Sequence, residues 1–285
     1  MPASIQLSEC SYGKTGVRLV KVERHGARHE MKDLRVEIQF FGAFDAAYSE
    51  GDNRLILPTD TMKNTVYVLA GQAAIGEIEY FGMRLANHFL ERNAQLAKVR
   101  ISIVEKLWQA IGCNGRPQDS FRLLGSELRT AVVEDNRSET SIRAGVADLA
   151  VLKTSRSAFA NFLRDEYTTL RETQDRLLSS NVSAQWSYKS LGQDAATTWQ
   201  AVRCVLLDVF AAHESRSVQH TLYAMGRAVL DRFACIDEIK LSMPNRHCQL
   251  VDLSPFKMEN PNEVFVPIDE PSGLIEAVLQ RCASE

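Results

Sequence analysis

Three short segments carry side chains of the types that act as general acids and bases. Lys14 follows Tyr12-Gly13 at the start of an alternating apolar stretch, where a strand can project its amine into a cleft. Thr59 opens a Thr-Asp-Thr cluster ahead of an apolar stretch, and His247 follows Pro244 at the end of a predicted strand. Each residue also has an ordinary interpretation, namely a solvated lysine, a helix N-cap and an exposed or structural histidine.

Metal and nucleotide sites have little support in the sequence. His25 and His29 lie four residues apart, but we expect them in a turn between two strands, where Arg24 and Arg28 would repel a cation. The six cysteines are scattered without a Cys-x-x-Cys pair, which is typical of free thiols in a reducing compartment. The phosphate-binding glycine motifs and the Gly-x-Ser-x-Gly nucleophile motif are absent from the sequence.

The composition excludes several classes of protein. A formal net charge of -3 over 285 residues gives no basic field for nucleic acid or an anionic membrane. No apolar run approaches the roughly 20 residues of a membrane-spanning helix. The N-terminal residues lack the pattern of a signal peptide, and the C-terminal residues do not form a Ser-Lys-Leu peroxisomal signal, so we expect a cytoplasmic protein.

Hydrophobic periodicity predicts the elements that must position these side chains. Alternating residues predict strands, strongly at 17–22, 34–40, 99–103, 182–188 and 239–243 and weakly at 128–134 and 146–152. Steps of three and four predict helices at 78–89, 199–209 and 218–233, and a shorter one at 59–70. The turn between the first two strands is expected within 25–33.

The predicted elements repeat as strands, helices and strands in two halves, 1–140 and 141–285. This order predicts an α+β fold, with helices packed on one face of an antiparallel sheet. The segment from Thr154 to Asn181 fits neither half's pattern. Its aromatic residues Phe159, Phe162 and Tyr167 argue against disorder, and long connections inside compact domains are usually functional.

Six segments, in unchanged order, resemble the uricase (urate oxidase) family. The two longest are Thr59 to Val68, TDTMKNTVYV, and Phe162 to Arg176, which begins FLRDEYTTL. The other four are Tyr12-Gly13-Lys14, Ser217-Val218-Gln219, Pro244-Asn245-Arg246-His247 and Pro271-Ser272-Gly273-Leu274-Ile275. The resemblance implies two tandem T-fold units, a homotetramer with active sites between subunits, and catalysis without a metal or flavin cofactor.

The resemblance also implies how urate, a flat purine anion, is bound. Phe159 corresponds to the family's stacking aromatic, and Arg176 to the arginine that grips the purine edge. Gln219 and the backbone N–H of Val218 would read an adjacent amide edge. Asp60 and the Thr59 backbone would contact the other end of the purine from a neighbouring subunit.

Lys14, Thr59 and His247 resemble the family's proton relay. The Thr59 hydroxyl can both donate and accept, so it can pass a proton between water beside the substrate and Lys14, which His247 recharges. Asn245 would hold O2, then water, above the ring. The expected reaction converts urate, O2 and water into 5-hydroxyisourate and hydrogen peroxide.

Two other functions stay open at this point. A T-fold relative could hydrolyse a pterin or purine, but such reactions commonly use zinc held by Cys and His, and the cysteines here form no ligand cluster. The chain could also be a purine-binding protein that has lost catalysis, because a fold alone does not establish activity.

Overall fold

A computed structural model describes residues 5–112, 119–189 and 195–282, which fall into two compact units, 1–144 and 145–285. The terminal residues, on which the targeting expectations depend, and Cys113 lie outside the described residues. The other five cysteines form no disulfide. Within the described ranges, no helix has the length and apolar character needed to cross a bilayer.

Unit 1 (residues 1–144) contains a sheet of long antiparallel strands. β1 (Ser11–His25), β2 (Arg28–Gly42), β3 (Leu96–Ala110) and β4 (Phe121–Asp135) pair in that order. β5 (Thr140–Lys153) begins in this unit and ends in the next. The alternating residues buried on one face of these strands, among them Ile38, Ile101 and Val133, form the sheet side of the core.

Three helices belong to unit 1: α1 (Asp45–Ser49), α2 (Thr59–Gln72) and α3 (Ile78–Arg92). α3 packs on β3 and β4, and α2 packs on β1. The apolar stripe predicted for α3 is fully buried, since Phe81 and Leu85 have no exposed surface and Phe89 is 1% exposed. Burial of this stripe places the charged face of α3 outward.

Unit 2 (residues 145–285) has a similar layout. β6 (Leu178–Tyr188), β7 (Ile236–Ser242) and β10 (Glu276–Gln280) pair antiparallel in that order, while β8 (Asn245–Leu250) pairs with β6 and β9 (Phe265–Gly273). α4 (Ala195–Ala212) and α5 (Val218–Arg232) contact each other, α5 packs on β7 and β10, and a short 3-10 turn spans Ser254–Phe256.

The predicted strands and helices are all present, and the α+β arrangement is confirmed. The turn lies within 25–33 as expected, and only Gly26 and Ala27 form it, because strand pairing resumes at Arg28. Gly26 has φ of +63°, which suits a two-residue hairpin turn. His25 and His29 therefore lie in strands. At the other boundaries, α5 ends one residue before Phe233, and the irregular segment ends where β6 begins at Leu178.

Candidate active site

Lys14 lies where the pairing of β1 with β2 becomes irregular. A Cβ on Gly13 would lie 1.9 Å from the Ile38 carbonyl oxygen, so only glycine allows this close approach of the two strands. The register shifts between Lys14 and Val17, and Gly16 within that bulge has φ of +68°. The half-buried Lys14 forms no ion pair with any described residue. The strand therefore fixes the Lys14 backbone, while its amine makes no ion pair with the described carboxylates.

Thr59 is the first helical residue of α2, so its prediction as the N-cap is wrong. Pro58 occupies the cap with ψ of 138°, its side chain makes no capping bond, and its carbonyl accepts the Met62 N–H at 3.2 Å. One position inside the helix, the Thr59 hydroxyl cannot reach back to cap it. Among the described residues this half-buried hydroxyl has no hydrogen-bond partner. It is free to exchange a proton with a bound molecule.

The Asp60 carboxylate, next along α2, is engaged within its own helix. Lys63 donates to one of its oxygens, and Asn64 Nδ2 donates to the other at 3.0 Å. The bond from Lys63 and that cation's charge hold the pKa of Asp60 below its usual value, with smaller contributions from Asn64 and Lys14. The charge of Lys14 is the smallest of these contributions.

The irregular segment before β6 is held by main-chain hydrogen bonds. Phe159 exchanges two of them with Thr173, at 2.8 and 3.0 Å. Arg176 donates its N–H to the Ser157 carbonyl at 2.8 Å, and the Ala158 N–H donates to the Ser215 carbonyl at 2.7 Å. These bonds join Phe159, Arg176 and the residues that lead into α5.

Arg176 is a partly buried cation that forms no ion pair with a carboxylate in the part of the chain that the structure describes. Its guanidinium carbon lies 5.3 Å from the centre of the Phe159 ring, and its buried Nε has no hydrogen-bond partner among the described residues. Burial lowers the pKa of Arg176. A desolvated guanidinium with unused donors, beside an aromatic face, is suited to a planar anion.

Val218 and Gln219 begin α5. Ser217 is the N-cap, and its hydroxyl accepts the His220 N–H at 3.1 Å. The Val218 side chain is buried, while Gln219 is exposed. The first N–H groups of a helix have no acceptor within it, so the Val218 and Gln219 backbone can donate to a ligand.

Asn245 and His247, which follow the predicted strand at 239–243, lie in a further strand, β8. β8 pairs with β9 through Asn245 and Gly273 and through His247 and Ile268, and this pairing extends the backbone. Between them, Arg246 pairs with Ser179 of β6. Since β6 begins two residues after Arg176, this bridge connects the segment carrying Asn245 and His247 to the segment carrying Arg176. His247 is exposed, and Asn245 is half-buried.

The predicted site residues thus fall into two groups. Unit 1 brings Lys14 near the start of α2, and unit 2 connects the segments that carry the other six, which are Phe159, Arg176, Val218, Gln219, Asn245 and His247. In the described parts of the chain, no three metal-ligating side chains come together.

Sequence reasoning gave no role to Phe162. Its ring stacks on Phe159 with centroids 4.9 Å apart and planes 14° from parallel. Arg164 in turn lies over the Phe162 ring, with its guanidinium carbon 4.9 Å from the centroid. The aromatic spacing from 159 to 162 is the one sequence signal for this arrangement.

Comparison with known proteins identifies the family. The sequence profile described as Uricase matches residues 10–134 and again residues 142–276. A uricase from Arthrobacter globiformis is 46% identical over 97% of this chain and 90% of its own length, and one from Dictyostelium discoideum is 35% identical over 96% of both.

Solved structures agree with the sequence comparison. The crystal structure of uricase from Arthrobacter globiformis superposes with a TM-score of 0.94 at 46% identity and covers 99% of this chain and 97% of that one. A uricase structure from Bacillus fastidious gives 0.81 at 25% identity, over 95% of this chain and 93% of that one. With its two tandem T-fold units and these matches along nearly its whole length, the chain belongs to the uricase family.

Proposed function

We propose that this chain is a urate oxidase that converts urate, O2 and water into 5-hydroxyisourate and hydrogen peroxide. The observation that carries the proposal is Arg176, a desolvated guanidinium with a buried, unused Nε beside the Phe159 ring. Together with membership of the uricase family, this arrangement favours a flat purine anion as the ligand.

The unit 2 group supplies recognition of the purine. The anion pairs with Arg176 through two charge-assisted hydrogen bonds and stacks on Phe159, which fixes the ring plane. Gln219 offers a donor and an acceptor in one side chain, and the Val218 N–H at the start of α5 offers a second donor. Because main-chain bonds hold these segments, the ligand is oriented with little side-chain reorganisation.

The start of α2 supplies donors to the other end of the purine. The Asp60 carboxylate is already engaged by Lys63 and Asn64, and its negative charge would repel urate. The N–H groups of Thr59 and Asp60 have no acceptor within the helix, and the helix dipole favours an anion there. We therefore assign the contact of Asp60 to its backbone rather than to its carboxylate.

Proton transfer is assigned to Lys14, Thr59 and His247. Removing a further proton from urate raises the electron density of the ring and makes electron transfer to O2 feasible. The Thr59 hydroxyl, which has no hydrogen-bond partner among the described residues, passes protons between water beside the substrate and Lys14, and His247 recharges Lys14. Asn245 holds O2, then the attacking water, above the ring.

The overall change balances in atoms and electrons. Urate loses two electrons and gains a hydroxyl from water at one ring carbon. O2 takes up those two electrons together with two protons and leaves as hydrogen peroxide. The residues named above bind, orient and move protons, while the electrons pass from substrate to O2.

The proposed relay contains residues of both units. We propose that these residues come together in a homotetramer whose active sites lie between subunits, as the resemblance to the family implies. A protein diluted until subunits separate should therefore lose activity, and activity should return on concentration.

The experiment that tests the function is an assay of urate with the purified protein. We expect loss of the ultraviolet absorbance of urate, with one O2 consumed and one peroxide formed per urate. The activity should persist with EDTA present. Unchanged absorbance with a properly folded oligomer that still binds xanthine would favour the non-catalytic purine-binding alternative. Loss of activity with EDTA, restored by zinc, would favour the hydrolase alternative.

A further inference from the structure

Tyr12 connects the two segments that carry the unit 1 part of the proposed relay. It lies two residues before Lys14 in β1, and its hydroxyl accepts the backbone N–H of Leu57 at 2.9 Å. Leu57 lies two residues before Thr59, at the end of the segment that leads into α2. One hydrogen bond therefore joins the strand of Lys14 to the chain just ahead of Thr59.

The Tyr12 ring is fixed from the core side. It packs edge-on against Phe44, with centroids 4.8 Å apart, and against Phe40 at 5.8 Å. Both phenylalanines are almost completely buried, at 1% and 0% exposure. Two aromatic contacts of this geometry leave the ring little freedom, so the hydroxyl has a defined position. Burial raises the pKa of Tyr12, so the hydroxyl stays neutral at physiological pH.

Few other described hydrogen bonds hold the start of α2, although the Met62 and Val66 side chains that follow are buried in the core. Pro58 provides no side-chain cap and no N–H, and the Thr59 and Asp60 side chains make no hydrogen bond to a strand within the described ranges. Farther from the helix, two residues before Leu57, the Leu55 carbonyl accepts a hydrogen bond from the Gln95 side chain at 3.0 Å. Among the described hydrogen bonds that join the chain before Thr59 to the sheet, the bond from Leu57 to Tyr12 lies nearest to Thr59.

We propose that Tyr12 is a positioning residue that fixes the distance between the Thr59 hydroxyl and the Lys14 amine. This inference rests on the proposed function, because the distance matters only if protons pass between the two groups. Proton transfer is sensitive to donor–acceptor distance, and a misplacement of about 1 Å can cost roughly 100-fold in rate. Tyr12 touches neither the substrate nor the transferred proton in this proposal.

The test is Tyr12→Phe, which keeps the ring and its packing on Phe40 and Phe44 and removes only the hydroxyl. We expect kcat for urate oxidation to fall about tenfold, with the Kd for xanthine, a purine that lacks the third oxygen, within about twofold. We also expect the solvent deuterium isotope effect on kcat to rise, because proton transfer becomes more rate-limiting. A loss of stability alone would lower the active fraction without changing the isotope effect.

Tyr48→Phe is the matched control. The Tyr48 hydroxyl donates to the Ser11 carbonyl at 2.8 Å, so it joins α1 to the same strand, β1, rather than joining the chain next to Thr59. We expect its kcat and isotope effect to stay within about twofold of the unmodified chain. Circular dichroism and thermal unfolding establish that both variants are folded.

Two results would overturn the proposal. One is a folded Tyr12→Phe variant with kcat and isotope effect unchanged. The other is an equal loss in Tyr48→Phe, which would assign the effect to loop stability in general. Failure of the unmodified chain to oxidise urate is a different outcome, because it contradicts the proposed function before any variant is compared.

Discussion

The two groups of site residues are held in opposite ways. In unit 2, Phe159 and Arg176 are fixed by main-chain hydrogen bonds, and the cation is desolvated beside its aromatic neighbour. In unit 1, Lys14 and Thr59 lie at irregular points, a β-bulge and a helix start led by proline, and their side chains make no hydrogen bond or ion pair with a described residue. Under the proposed assignment, recognition would use a preformed shape, whereas proton transfer would use groups whose side chains make no hydrogen bond to the described residues.

The largest effect should come from removing the base in unit 1. We expect Lys14→Met to lower kcat for urate about 1000-fold, within the range for a lost general base, while the Kd for xanthine stays within about twofold. Stopped-flow absorbance and calorimetric titration measure the two quantities. Lys21→Met is the control, since Lys21 lies in the same strand and donates to the Ala70 carbonyl. A Lys14→Met variant that keeps a tenth of its turnover would contradict the assignment.

The next largest effect should be on recognition in unit 2. We expect Arg176→Ala to weaken xanthine binding about 100-fold, because two charge-assisted hydrogen bonds from the guanidinium to the purine edge are lost. Arg164→Ala provides the comparison: its guanidinium also lies over an aromatic ring, but the side chain is exposed. Calorimetric titration should show less than about a twofold change for Arg164→Ala. Equal losses in the two variants would refute the distinction.

A smaller effect should follow from removing the ring that stacks on Phe159. We expect Phe162→Leu to raise the Kd for xanthine about three- to fivefold, which corresponds to the usual contribution of an aromatic pair. The change in kcat should be smaller than the change in Kd. An unchanged Kd would show that the main-chain bonds of Phe159 are sufficient to orient its ring.

The sequence predicted the regular elements well, because their side chains report directly on burial. The stripe of α3 and the alternation of β2 are examples. Thr59 was misplaced by one position, since a Thr-Asp-Thr cluster has the usual composition of an N-cap and gives no sign that Pro58 takes that role.

The arrangement of the site was less predictable. The main-chain bonds from Phe159 and Arg176 use groups that every residue has, so side-chain types carry no record of them. Lys14, Thr59 and His247 each had an ordinary interpretation, and their order among the family segments gave them a catalytic one. The stacking of Phe162 depends on a loop conformation that periodicity does not describe.

The two units also contain ion pairs that differ in how deeply they are buried. In unit 1, Arg129 lies between Glu77 and Glu79 with 6% of its side chain exposed, whereas the pair of Arg227 and Asp231 in unit 2 is 66% and 70% exposed. Burial raises the pKa of Glu79, and the charge of Arg129 opposes that shift only in part. The folded chain therefore holds this proton more tightly than the unfolded chain does.

The smallest expected effect concerns this carboxyl. Its stabilising contribution is full below the ordinary glutamate pKa and falls as pH rises through the raised value. The glutamine of the Glu79→Gln variant cannot ionise. We therefore expect the Tm of the variant minus the Tm of the unmodified chain to be about 2–4 °C higher at pH 7.5 than at pH 4.5. Differential scanning fluorimetry at the two pH values measures the Tm of the variant and of the unmodified chain. Glu91→Gln, at the exposed end of α3, should show no such trend, and a difference of opposite sign for Glu79→Gln would reject the direction of the shift.

The main-chain bridges of the segment before β6 have a consequence for protein engineering. Between Phe159 and Thr173 the loop exposes side chains such as Leu163, at 95%, and Tyr167, at 82%. Since the bridges use atoms common to all residues, the path of the chain at its two ends does not depend on which side chains occupy the positions between them. A fluorescent probe attached at position 163 would therefore sit a few residues from the Phe159 ring without altering the bonds that hold it.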